Sequence, residues 1–200
     1  MKIKKIIILG TGGNCIDILD SINEINIIKK RYKVIGFLDD DKTKWNTKIH
    51  DIEVLGGLKI ANSFKDIFFV NGIGSPNNFW KKEEILDKAN LSLDRFETII
   101  HPSASVSKMS NIGKGTVILQ NVTISSNVTI GNHVMILPNS VINHDDIIDS
   151  YVSIASGVCI AGNIKIEKNS LIGIGCIVLN DIKENNVVVG NPARFLRKLY

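Results

Sequence analysis

Two patterns of hydrophobic spacing divide the chain near residue 99. Before it, short unbroken apolar runs alternate with stretches of helical spacing. Ile6 to Leu9 is continuous and ends in Gly10-Thr-Gly-Gly-Asn-Cys15, after which Ile16, Leu19, Ile22 and Ile25 recur on one helical face. That reads as strand, tight turn and helix. A second strand, Val34 to Leu38, ends in Asp39-Asp40-Asp41. A third, Ile67 to Val70, leads into Gly72-Ile-Gly-Ser-Pro76, and Phe79 to Leu91 has helical spacing. Strands alternating with helices predict a small parallel sheet with covered faces over residues 1–99.

From Ile100 the period becomes six. Ile100, Val106, Ile112, Ile118, Ile124, Ile130, Ile136, Ile142, Ile148, Ile154, Ile160, Ile166, Ile172 and Val178 form an unbroken series of 14 β-branched aliphatic residues. Four places after almost every one stands a small or β-branched residue, from Ala104 and Ser110 to Cys176 and Ile182. Each hexad is then one short strand plus a corner. Three sides close a coil of about 18 residues, and stacking coils buries the aliphatic residues in one column that no single repeat makes alone. Residues 100–200 are predicted to be a parallel β-helix with a short C-terminal tail. Asp146 breaks the rule: it falls at the small inward position, between Val128 and Ile164 one coil away. A buried carboxylate there requires a displaced corner, a hydrogen bond or a proton.

With 44% hydrophobic and 22% charged residues the chain buries a core, which excludes a disordered protein. No apolar run approaches the roughly 18 to 20 residues of a membrane span, and Met1 to Gly10 reads as a first strand, not a signal peptide, so membrane insertion is not expected. The net charge of +4 is spread evenly: 16 Lys and Arg face 14 Asp and Glu up to residue 99, and 8 face 6 beyond it. No half is a nucleic-acid surface. The one local excess is Arg194, Arg197 and Lys198, which reads as a solvated terminal helix or a phosphate contact. Cys15, Cys159 and Cys176 show no C-x-x-C spacing and suit small buried thiols in a reducing cytoplasm.

An α/β unit, uninterrupted isoleucine hexads and Val189-Gly-Asn-Pro-Ala-Arg194 together resemble the bacterial sugar acetyltransferases of the PglD/NeuD type. The matching stretches are Gly10-Thr-Gly-Gly13, Phe37-Leu-Asp-Asp40, Ile100-His-Pro-Ser-Ala104, Asn143-His-Asp145 and Gly162-Asn-Ile-Lys-Ile166. The resemblance implies a Rossmann-like nucleotide-sugar-binding domain, a left-handed β-helix and a homotrimer. It further implies acetyl-CoA as co-substrate, with no permanently bound cofactor, and N-acetylation of a nucleotide-linked amino sugar, with a UDP-4-amino-4,6-dideoxy sugar as the expected acceptor.

Acetyl transfer from a thioester to an amine needs a base for the proton that nitrogen sheds. His144 stands at a corner, where a side chain leaves the prism, and Asp145 is placed to orient its imidazole. Zinc chemistry is disfavoured, because Ser126 and Gly162 lie one coil either side of His144 and no ligand stacks on it. Gly10, Gly12 and Gly13 let the backbone approach a phosphate at a helix N-terminus, and Asp39 can accept from a ribose hydroxyl. The resemblance assigns these, with Asp40, to the nucleotide sugar. It places pantetheine contacts at the backbones of Gly162 and Ile174, and Ser153 stands where relatives often carry a histidine beside the acetyl group, so that contact is a hydroxyl or is absent. Arg194, Arg197 and Lys198 are the cations available to the CoA phosphates. Two rivals stay open: a sugar O-acetyltransferase of sialic-acid type, and a catalytically silent nucleotide-sugar-binding trimer. An NAD reductase lacks a second half to hold nicotinamide.

Overall fold

The computed structural model describes residues 3–74 and 78–198. It divides into two compact units, residues 1–99 and 100–200. In the first, β1 (Lys4–Leu9) buries Ile6 to Leu9 completely, which is why that run is apolar on both faces. The chain turns through Gly10 into α1 (Gly13–Ile28), whose Cys15, Ile18, Leu19 and Ile22 are buried while Ile27 and Ile28 are exposed. It returns in β2 (Tyr32–Leu38), parallel to β1.

A hairpin follows, β3 (Lys48–Ile49) and β4 (Ile52–Gly56). His50 and Asp51 turn it at φ 47° and 65°. β5 (Phe68–Asn71) completes the order β3-β4-β2-β1-β5, with every pairing parallel except that hairpin. The helix expected over Phe79 to Leu91 is shorter. A 3-10 turn at Phe79–Lys81 leads into α2 (Lys82–Asp87), and Asn90 at φ 48° leaves the helical region before Leu91. Ser75 and Pro76 of the preceding turn lie outside the described residues.

The second unit is a three-sided parallel β-helix in which strands pair eighteen residues apart, except in the last coil, where Leu171 pairs with Val187. One side stacks Ser105–Val106, Thr123–Ile124, Val141–Ile142, Cys159–Ile160 and Ile177–Val178. A second stacks Asn111–Ile112, Thr129–Ile130, Ile147–Ile148 and Lys165–Ile166. The third carries Val117–Ile118, Met135–Ile136, Ser153–Ile154, Leu171–Ile172 and Asn186–Val189. The second residue of each pair points inward, and from Ile118 to Val178 those residues expose 2% or less. Burial of each aliphatic side chain contributes about 1.5 to 3 kcal/mol, so the column is the core.

From Asn121 to Asn169 each corner is turned by a residue in the left-handed region, Asn121, Asn127, His133, Asn139, Asp145, Tyr151, Gly157, Asn163 and Asn169 standing six residues apart. The tail is not a helix. Arg194–Lys198 is a strand antiparallel to Asn186–Val189, with Phe195 and Leu196 exposed on it. Three exposed cations, Arg194, Arg197 and Lys198, fit an edge strand that closes the last coil.

Candidate functional site

The corner after Ile142 collects the chemistry. Asp145 takes the left-handed turn position at φ 64°, which swings its carboxylate back toward the preceding residue. Its Oδ2 lies 2.8 Å from Nδ1 of His144, and its Oδ1 accepts Nδ2 of Asn127, one coil below, at 3.2 Å. The His144 hydrogen bond, followed by that from Asn127, holds the Asp145 carboxyl below its usual range. A carboxylate accepting at Nδ1 fixes the hydrogen there and leaves Nε2 as the basic nitrogen. The His144 side chain is 64% exposed, so Nε2 is open to a substrate.

One coil above, Gly162 forms the seat of the ring. A Cβ at Gly162 would lie 2.7 Å from Cε1 and 2.9 Å from Nε2 of His144, so glycine is what lets the imidazole rest on the coil. The Asn163 amide donates to the His144 carbonyl at 2.9 Å. His144, Asp145 and Gly162 therefore form one constellation.

The other residues named for CoA lie elsewhere on the prism. Ser153 is a nearly buried outward residue of the third side. Ile174, 81% exposed, sits at the corner between the third and first sides, and Arg194 lies in the tail strand. A single chain does not bring these to the His144 corner. The remaining histidines are engaged structurally: His101 Nδ1 lies 2.8 Å from Ser103 Oγ, and His133 stacks on Tyr151 with ring centroids 5.4 Å apart. Among the described residues no group of three or more His, Cys, Asp or Glu is arranged to hold a metal.

In the first unit Gly10 turns at φ 95°, with Ile73 and Cys15 so close that a Cβ would meet Ile73 at 2.7 Å. Gly12 and Gly13 face open space, and Gly12 caps α1 with no side chain competing for its first amides. The N-terminus of α1 is thus sterically open beside Gly12 and Gly13. Asp39 closes the end of β2, hydrogen-bonded to the Thr11 hydroxyl.

Lys44 adds a cation that the sequence reading missed. Its Nζ donates to Thr11 Oγ1 at 2.9 Å and lies 3.7 Å from Asp39 and 3.6 Å from Asp41. Only the fold brings it across 33 residues to the glycine turn. Asp40 is occupied differently: its Oδ1 accepts the Leu58 amide at 2.9 Å, and its Oδ2 is 3.9 Å from Lys88.

Residues 5–88 match the family model of the PglD N-terminal domain, and residues 109–144 match that of the bacterial transferase hexapeptide, six repeats. The chain is similar to a UDP-N-acetylbacillosamine N-acetyltransferase of Bacillus subtilis, 32% identical over 121 residues; the match covers 58% of this chain and 51% of the relative, about half its length. The acetyltransferase domain of PglB from Neisseria gonorrhoeae, solved with acetyl coenzyme A, shares the fold at TM-score 0.80 and 23% identity, over 98% of this chain and all of that one. A mutant of perosamine N-acetyltransferase from Caulobacter crescentus, solved with CoA and GDP-perosamine, does so at TM-score 0.74 and 18% identity, over 98% and 99%. The chain thus joins a PglD-type N-terminal domain to a hexapeptide-repeat β-helix, the pairing that its sequence motifs implied.

Proposed function

We propose that the protein transfers the acetyl group of acetyl-CoA to the amine of a nucleotide-linked amino sugar, with His144 as general base. The observation that carries this reading is the His144–Asp145 pair at 2.8 Å, seated on Gly162 with Nε2 free. Nε2 takes a proton from the acceptor nitrogen as that nitrogen attacks the thioester carbonyl. The tetrahedral intermediate collapses with cleavage of the carbon–sulfur bond, and the proton passes to the departing thiolate, giving CoA thiol and the N-acetyl sugar. Asp145 holds the tautomer and stabilises the imidazolium between the two transfers.

The N-terminal unit supplies the nucleotide pocket, with Gly12 and Gly13 toward the diphosphate and Asp39 toward the ribose. The relatives' substrates, UDP-N-acetylbacillosamine chemistry in one and GDP-perosamine in another, support a nucleotide-linked amino sugar as acceptor. The spread of Gly162, Ile174, Ser153 and Arg194 over different sides of the prism supports a homotrimer in which a neighbouring copy completes the CoA groove. Unpaired Cys15, Cys159 and Cys176 fit a cytoplasmic setting.

UDP-, dTDP- and GDP-linked amino sugars offered with acetyl-CoA, with free thiol release as the readout, test this directly. At least one acceptor is expected to give turnover, and His144→Ala is expected to lower kcat by about 10²- to 10⁴-fold with little change in KM. Wild-type turnover in a folded His144→Ala protein would sink the assignment.

A further inference from the structure

Two places after His144, Asp146 has no exposed surface, yet the coil is not displaced around it: Thr129, Ile147 and Lys165 keep their eighteen-residue register. Most of these inward positions are aliphatic, but at Ser110, Thr116 and Ser140 a hydroxyl ties coils together in a fixed way. Ser110 accepts the Val128 amide at 3.0 Å and donates to the Ser125 carbonyl at 2.6 Å. Thr116 accepts from Val134 at 3.2 Å and donates to Gly131 at 2.8 Å. Ser140 accepts from Val158 at 3.3 Å and donates to Ala155 at 2.9 Å. In these three cases the side chain accepts from the residue eighteen places on and donates to the one fifteen places on; Ser170, in the last coil, donates instead to the Lys183 carbonyl thirteen places on.

Asp146 makes the first half of this bridge, its Oδ1 accepting the Ile164 amide at 2.8 Å. Its Oδ2 is buried and has no hydrogen-bond partner among the described residues. The equivalent acceptor is the carbonyl of Ala161, and a carboxylate has nothing to donate to it, whereas a carboxylic acid does. We propose that Asp146 stands in the prism as a neutral carboxylic acid, accepting from Ile164 and donating to the Ala161 carbonyl, and so acts as the positioning residue that fixes the corner carrying His144. The role in catalysis rests on the acetyl-transfer reading above; the protonation state does not.

Burial pushes the Asp146 carboxyl up to about 6. The Ile164 and Asn143 amides and the charge of His144 oppose that rise, and Asp145 adds to it. Val128 from the coil below and Ile164 from the coil above bring no charge, so His144 and Asp145 are the titratable groups that act on it. The bridge spans from Asp146, just past His144, to Ile164, just past its seat at Gly162. Ionisation removes the donated half of that bridge and adds a negative charge two residues from the base.

The sign follows from a folded-state value of about 6 against 3.8 for the free group. The folded protein holds a proton that the unfolded chain releases, so this stabilising contribution is full below pH about 4 and is lost as pH rises through about 6.

The test uses the full chain with 13C-labelled aspartate carboxyls, the Asp146 resonance being the one missing in Asp146→Asn. A titration midpoint near 6 is expected. Asparagine both accepts and donates without ionising, so Asp146→Asn should melt above wild type at about pH 7.5, with the difference narrowing as pH falls and closed only below about pH 4. Its kcat profile should lose the component titrating near 6 while KM holds. Asp146→Ala should lower kcat several-fold, with Asn restoring it. A midpoint at or below about 4 would overturn the neutral acid; unchanged pH profiles in Asp146→Asn would overturn the positioning role. Should Asp146→Ala fail to fold, the wild-type titration still decides the acid. Absence of acetyl transfer from wild type itself counts against the proposed function alone.

Discussion

At the residue scale, the candidate base is held from three directions: Asp145 beside it, Asn127 behind Asp145, and Gly162 beneath the ring. Gly162 gives the sharpest test, because its φ lies outside the left-handed region and alanine meets no backbone strain there. The three atoms nearest the added methyl all belong to the imidazole, which has solvent to move into. Gly162→Ala should therefore keep the melting temperature close to wild type and lower kcat by about 10- to 10²-fold, the cost of misplacing a reacting group by about 1 Å. Circular dichroism melts alongside thiol-release kinetics check both halves; a variant of full activity would show that the ring needs no seat. His144 and Asp145 were legible in the sequence as a candidate pair from their corner position taken with the Asn143-His-Asp145 match to the family. The contacts from Asn127 and Gly162 were not, because each crosses one coil.

At the element scale, the hexad separates neighbouring isoleucines into different roles. Ile148 is 1% exposed in the column and Ile147 44% exposed on the outer surface. Ile148→Ala leaves a cavity in a stack with no freedom to collapse, and should cost about 2 to 5 kcal/mol. Ile147→Thr, keeping a β-branched residue on a strand, should stay within about 0.5 kcal/mol. Urea unfolding of the two variants measures the contrast, and equal losses would contradict the inward assignment. Elements that depend on local geometry were less legible. The second helix stops at Asp87, and the tail pairs as a strand because Asn186–Val189 offers it a free edge.

At the scale of the whole molecule, the β-helix displays Ile174, Leu179, Phe195 and Leu196, each more than half exposed. Exposed apolar residues in this number suit association with another chain, and the residues proposed for CoA lie on more than one side of the prism. A homotrimer is the expected state. Light scattering at micromolar concentration should report three times 22.0 kDa, and an active monomer would count decisively against it.

What the sequence determined alone is whatever repeats or runs unbroken. Fourteen aliphatic residues at period six dictate a stacked prism, since only that geometry buries them all, and Ile6 to Leu9 before a glycine turn dictates a buried parallel strand. The inward place of Asp146 followed from the same period. Tertiary structure decided what depends on contacts between distant residues: Lys44 reaching Thr11, the ring of His144 on Gly162, and Asp146 taking the Ile164 amide with one oxygen only. A period says which way a side chain points. Which donor or acceptor it meets is fixed when the coils close, because only then do residues eighteen places apart come within hydrogen-bonding reach.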